Sequence, residues 1–283
     1  MAANKKPVLI FPGDIDSTDP AKNPPDYTYR LLAEGDSWFS YGSWRLRNLP
    51  LQLRFTTDTM IVTLAEPGDT IVRMADICRN PALEMQLDKR FGYNWHAILL
   101  SGGGNDIIDN AGKIIPPSSK AQPSRADPAD YCDLDALRRV LATIAKGYAA
   151  IVDLRDRAGI SPCVGKPIVI HTYDLCAPRD SPARFAFLTL GPWLYPAMIA
   201  AKIPQARWND VADVVMNALA DKLLALPNKL PNVHVVDTRG LLTRSTNTAK
   251  GISNDWENEI HPTADGYRKI AKPISQRLAS LLP

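Results

Sequence analysis

The chain has 283 residues, 45% of them apolar, which is enough for a sizeable buried core. Its 33 basic and 30 acidic side chains leave a net charge of +3 with no long run of one sign, which excludes an electrostatic footprint for nucleic acid or an anionic membrane. Cys78, Cys132, Cys163 and Cys176 form no CxxC pair, so neither a zinc ribbon nor a thioredoxin-like motif is expected, and the thiols read as reduced and mostly buried.

Residues 1–28, rich in Pro, Asp, Asn and Lys, read as an N-terminal extension. The apolar run Pro7 to Pro12 is too short for a signal-peptide core, and no stretch approaches the roughly 20 apolar residues of a membrane span, so a cytoplasmic location is the expectation. Short apolar runs with β-branched content follow at Tyr29–Ala33, Met60–Leu64, His96–Leu100, Ile168–Thr172 and Val233–Val236. Helical periodicity marks Leu134–Ala158, Trp208–Leu226 and Ala264–Leu282, as in Val211, Val214, Val215 and Leu219. Strands alternating with helices predict an α/β domain over 29–283: three layers, α/β/α, around a flavodoxin-like doubly wound parallel sheet of about five strands. Two proline-containing segments, about 107–130 and 176–205, read as long loops.

In such a sheet the ligand crevice lies beyond the carboxyl ends of the strands, so the residues after each run carry the functional information. After the first run comes Glu34-Gly35-Asp36-Ser37-Trp38-Phe39, where a glycine permits a tight strand-to-helix turn and a serine is left near a helix N-terminus. That serine is a nucleophile if a base reaches it and an ordinary N-cap if none does. Glu66-Pro67-Gly68-Asp69-Thr70 follows the second run. Ser101-Gly102-Gly103-Gly104-Asn105-Asp106 follows the third; it lacks the third glycine of a dinucleotide fingerprint, and Asn105 offers an amide beside a backbone that a ligand can approach. Near the C-terminus, His261-Pro262-Thr263 precedes the last helix, with no metal-ligand spacing around it, so no metal is assigned.

Together these blocks resemble the SGNH or GDSL hydrolases, in order and spacing, over about residues 30–275. Gly35-Asp36-Ser37 looks like the nucleophile block, Gly68 the glycine of the second, Gly103-Gly104-Asn105-Asp106 the GxND block and His261 the terminal histidine. The resemblance implies a serine esterase without cofactor, in which Ser37 attacks an ester carbonyl, His261 is the base, and the N–H groups of Ser37 and Gly68 and the Asn105 amide form the oxyanion hole. Asp36, Trp38, Gly104 and Trp193 are then expected at the substrate. A carbohydrate O-deacetylase or acyltransferase shares the same logic, and a non-catalytic domain binding an acylated sugar or polymer is the alternative from another class. The expected partner is a small-molecule or acylated ester; the oligomeric state is left open.

Two positions depart from the family pattern. Trp38 stands where GDSL has leucine. More consequentially, Asn258 occupies the place of the triad acid, three residues before the histidine. Its oxygen can accept the imidazole N–H, but it is neutral and cannot stabilise an imidazolium. Three arrangements follow: Asn258 orients a Ser–His dyad, Asp255 reaches in as a substitute acid, or a backbone carbonyl serves. Position 258 is favoured as the geometric partner with Asp255 behind it, and Glu259 is expected to point elsewhere. Leu188, Leu190, Trp193, Leu194 and Tyr195 read as either an acyl-binding surface or core, and Arg179 and Arg184 as contacts for an anionic group or as solvated side chains.

Overall fold

A computed structural model describes residues 4–41, 48–185 and 188–282. The strands are β1 (Val8–Ile10), β2 (Tyr29–Gly35), β3 (Thr59–Thr63), β4 (Ala97–Ser101), β5 (Ile168–His171) and β8 (Val233–Val236), with β6 (Ala183–Phe185) and β7 (Leu188–Leu190) forming a separate antiparallel hairpin. The helices are α1 (Ser37–Ser40), α2 (Leu49–Gln52), α3 (Ile71–Met74), α4 (Pro81–Leu87), α5 (Gly104–Asp109), α6 (Ala111–Ile114), α7 (Leu134–Arg155), α8 (Tyr195–Ala200), α9 (Trp208–Leu224) and α10 (Ala264–Leu281).

The main sheet runs β1-β3-β2-β4-β5-β8, and every neighbouring pair is parallel. Without β1 this is the 2-1-3-4-5 order of a flavodoxin-like sheet. Passing from β2 to β3 moves the chain one way across the sheet, and every later crossover moves it the other way. Because such crossovers are right-handed, the reversal puts their helices on opposite faces. α2 packs with α10, which lies on β5 and β8, whereas α7 gathers α3, α4, α5, α6 and α9. The residues of β3, β4 and β5 are buried along their whole length, as they must be between two helical layers, and this explains their near-continuous apolar runs.

The observed sheet has six strands, not about five. The additional one comes from the segment expected to be an irregular extension: Val8, Leu9 and Ile10 pair with Met60, Ile61 and Val62. Three apolar residues between polar and proline-rich flanks carry too little pattern to stand out as a strand, and the open edge of β3 is what recruits them. The two long loops also hold local structure. Residues 107–130 begin within α5 and α6, and 176–205 contain the β6–β7 hairpin and α8. Among the described residues no helix is long and apolar enough to cross a membrane.

Candidate active site

The reversal of winding falls between β2 and β4, whose carboxyl ends lie side by side with Gly35 opposite Ser101. The strands approach so closely there that a Cβ on Gly35 would stand 2.9 Å from the Ser101 Cβ and 3.0 Å from its carbonyl oxygen, so only glycine fits. The chain then turns into α1. Asp36 caps it, one carboxylate oxygen accepting the Trp38 N–H at 2.9 Å, and Ser37 enters the first turn, 7% exposed.

The Ser37 Oγ lies 2.7 Å from His261 Nε2, and His261 Nδ1 lies 2.9 Å from Asn258 Oδ1. The same Asn258 oxygen accepts the backbone N–H groups of Ile260 (3.2 Å) and His261 (2.9 Å). Two backbone donors therefore fix which end of the amide faces the ring, and an amide oxygen only accepts, so Nδ1 carries the ring proton. Nε2 is left bare toward the serine hydroxyl, which donates to it. Burial holds the His261 pKa down to about 3, favouring the neutral ring. Tyr41 stacks on one side of this ring, centroids 4.2 Å apart, and Trp193 packs nearly perpendicular to it at 5.3 Å.

Gly68 takes φ +83°, the left-handed region that glycine adopts without strain, in the exposed loop after β3. Asn105 sits in the first turn of α5, reached through Gly103 at φ +104°, and its Nδ2 donates one bond to the Asp69 carbonyl at 2.8 Å. Asp106 Oδ2 accepts the Ile71 N–H at 2.9 Å, so the loops after β3 and β4 are tied to each other twice. Among the described residues neither the Ser37 nor the Gly68 N–H donates a hydrogen bond.

Several expected residues have other work. Asp255 does not reach His261: its Oδ2 accepts the Thr243 N–H at 2.6 Å and the Lys269 ammonium at 2.5 Å. The chain between 255 and 258 is tied by Ser253–Trp256 and Trp256–Pro262 bridges, which turn residue 255 toward α10. Asp36, expected at the substrate, lines the crevice, but its carboxylate is engaged by internal hydrogen bonds. Beyond the Trp38 N–H it accepts Ser101 Oγ (2.9 Å) and the Tyr173 hydroxyl (2.6 Å), and burial raises its carboxyl to about 6. Trp38 has its indole packed between His171 and Tyr267 and its Nε1–H on the Ile260 carbonyl, so it contributes to a crevice wall from within the core. Gly104 also lines that crevice, against the Tyr173 ring. Arg179 is fully buried, donating to the carbonyls of Ala249, Gly251 and Asn258, and meets no solvent anion. The side chains of Arg184 and Leu188 fall outside the described residues.

Three contributors escaped the sequence reading. Tyr173 follows β5, the one early strand end left unread, and its φ of 63° marks a constrained position. It completes a directed chain: the Tyr173 N–H donates to His171 Nδ1 (3.1 Å), so His171 Nε2–H donates to Ser101 Oγ (2.9 Å), which donates to Asp36. Glu259 does point away from His261, but to a purpose. Fully buried, with burial raising its carboxyl to about 7, it accepts the backbone N–H groups of Trp193, Leu194 (3.2 Å), Tyr195 (2.7 Å) and Arg179 (3.3 Å). Tyr41 carried no signal in its sequence neighbourhood.

A doubly wound α/β sheet with serine, imidazole and amide in hydrogen-bonded series at its switch point is the frame of a serine-type hydrolase. The chain belongs to the GDSL-like lipase/acylhydrolase family, whose model matches residues 27–269. Solved structures similar to it include a lipase from a goat rumen metagenome (14% identity, TM-score 0.49, covering 90% of this chain and 98% of that one). An extracellular lipase from Streptomyces rimosus is similar at 17% identity and TM-score 0.46, covering 90% and 100%. The aryl esterase of M. smegmatis is similar at 15% identity and TM-score 0.46, again over 90% and 100%. No curated protein matches the sequence.

Proposed function

We propose that the protein is a serine esterase that cleaves carboxylic esters through an acyl-enzyme. The observation that carries this reading is the series Ser37 Oγ, His261 Nε2, His261 Nδ1, Asn258 Oδ1, at 2.7 and 2.9 Å, with its proton direction set by the two backbone N–H groups on Asn258. Ser37 Oγ bonds to the ester carbonyl carbon while its proton passes to His261 Nε2 and the carbonyl π pair moves onto oxygen. The oxyanion is held by the N–H groups of Ser37 and Gly68 and by the second amide proton of Asn105. Collapse breaks the bond to the alkoxy oxygen, which takes the proton from His261 and leaves as the alcohol. Water then enters by the same path, its proton going to His261, and the acid departs from Ser37. A short-chain p-nitrophenyl ester should give nitrophenol together with an acyl adduct that peptide mass mapping places on Ser37. Absence of both sinks the reading.

Asn105→Ala should lower kcat about 100-fold, the lower end of the range for a single oxyanion donor, because one of its amide protons is already engaged by Asp69. A KM effect with kcat unchanged would move Asn105 from oxyanion stabilisation to binding. The pH profile is a further check. The base acts in its neutral form, so activity rises with pH through its pKa. Burial lowers that pKa to about 3, so the acid limb of kcat/KM should lie well below the usual histidine value of about 6.5. A limb at or above that value would contradict a buried, uncharged surrounding for His261.

A further inference from the structure

From the space beside Ser37 we infer that the site takes esters of acetyl-sized acyl groups, a conclusion that rests on the esterase reading and specifies its substrate class. The crevice that holds Ser37 and Asn105 continues into a slot lined by Ile107, Ile108, Cys176, Leu194, Met216 and Trp256, and its exposed lining is overwhelmingly apolar. The room left in it for water-sized atoms is only about 30 Å³. An apolar cavity of about 150 Å³ holds benzene and one of about 10–15 Å³ a single water, so this space is on the scale of an acetyl group. Once the carbonyl oxygen turns to the Asn105 side, a methyl group fills what remains, and each further methylene has to displace a wall.

The walls differ in how far they can give way. Ile107 is 1% exposed within α5 and Trp256 is wholly buried. Leu194 is 2% exposed, and its position is set by its backbone: the strap Trp193-Leu194-Tyr195 hangs by three consecutive N–H groups from the buried carboxyl of Glu259. The same strap lays the Trp193 ring against His261, so displacing Leu194 would disturb the base itself. Met216, half-buried on α9, is the adaptable wall, unbranched and not tied by its backbone to the site. The slot is therefore closed by design of the strap on one side and by one flexible thioether on the other.

The test is a series of p-nitrophenyl esters from acetyl to octanoyl, run on the intact protein and on Met216→Ala and Leu194→Ala. In the wild-type chain kcat/KM should fall at least about a hundredfold from acetyl to butyryl, which adds two methylenes, and further to octanoyl, since misfit of one methylene costs roughly 10- to 200-fold in a tight pocket. Met216→Ala should raise the octanoyl-to-acetyl ratio about tenfold, with Leu194→Ala shifting it the same way. Thermal melting checks that each variant is folded. In parallel, p-nitrophenyl methylphosphonate and octylphosphonate report on the slot without turnover, with intact-mass labelling of Ser37 expected for the first and slow for the second. A flat chain-length profile, or a profile unmoved in both folded variants, overturns the acetyl-sized slot while leaving the esterase. Absence of both turnover and labelling with every reagent overturns the esterase and the slot together.

Discussion

Alanine at Ser37 or at His261 is expected to lower ester turnover by about a millionfold, and the double variant should be no slower than either single one. The reason is that the 2.7 Å contact makes the two side chains one device: a serine hydroxyl is a poor nucleophile until its proton has somewhere to go, and the ring alone forms no acyl-enzyme. On the proposed mechanism, what should survive in each variant is the catalysis left to the two backbone N–H groups and Asn105, acting on an oxyanion made by water attack. Steady-state rates of the two single variants and the double variant decide the matter. Multiplicative losses would show that the hydroxyl and the imidazole act separately.

Asn258 carries the second large effect. Asn258→Ala should cost about a thousandfold in kcat, because it removes the acceptor that keeps the proton on Nδ1 and strands the N–H groups of Ile260 and His261 inside the protein. In serine proteases, replacing the triad aspartate by asparagine costs about 10⁴, largely through the wrong tautomer. Here that fault is avoided, since the two backbone donors keep the amide oxygen, not its nitrogen, against the ring. What is missing is charge. Asn258→Asp should therefore raise kcat about tenfold and move the acid limb upward, as the carboxylate stabilises the imidazolium; a tenfold gain corresponds to about 1.4 kcal/mol, small beside the Coulomb energy of a close buried pair because the second oxygen is buried as well. The Asn258 Nδ2 has no hydrogen-bond partner among the described residues, so the exchange breaks no bond there. A slower Asn258→Asp enzyme would mean that the neutral relay is the better one in so dry a surrounding.

The parts of this arrangement legible in the sequence are those that local chemistry forces. Gly35 and Gly68 announce turns that larger residues cannot make, the buried strands announce themselves by uninterrupted apolar runs, and the histidine stands before a helix whose cap, Thr263, accepts the Gly266 N–H. The core strands emerge within two residues of their expected bounds, and Val233–Val236 without any shift. Illegible were the partners joined only by the fold. Asp36 and Tyr173 lie 137 positions apart, and Glu259 meets the 193–195 strap across 64 to 66. Nothing in the neighbourhood of a carboxylate says whether it will serve an imidazole, an ammonium or a row of backbone N–H groups. Asp255 and Glu259, four residues apart, take the second and the third of those roles.

The pairing of Val8–Ile10 with β3 has a consequence for the sheet as a solid object. Without those three residues the outermost strand would be β3, five buried residues long and carrying Met60, Ile61 and Val62 with a row of backbone donors and acceptors open to any other chain. A strand of three residues in its place, bounded by Pro7 on one side and Pro12 on the other, ends the ladder with little left to template upon. The polar, proline-rich arm thus replaces a five-residue edge by a three-residue one, leaving less open backbone for another chain to pair with.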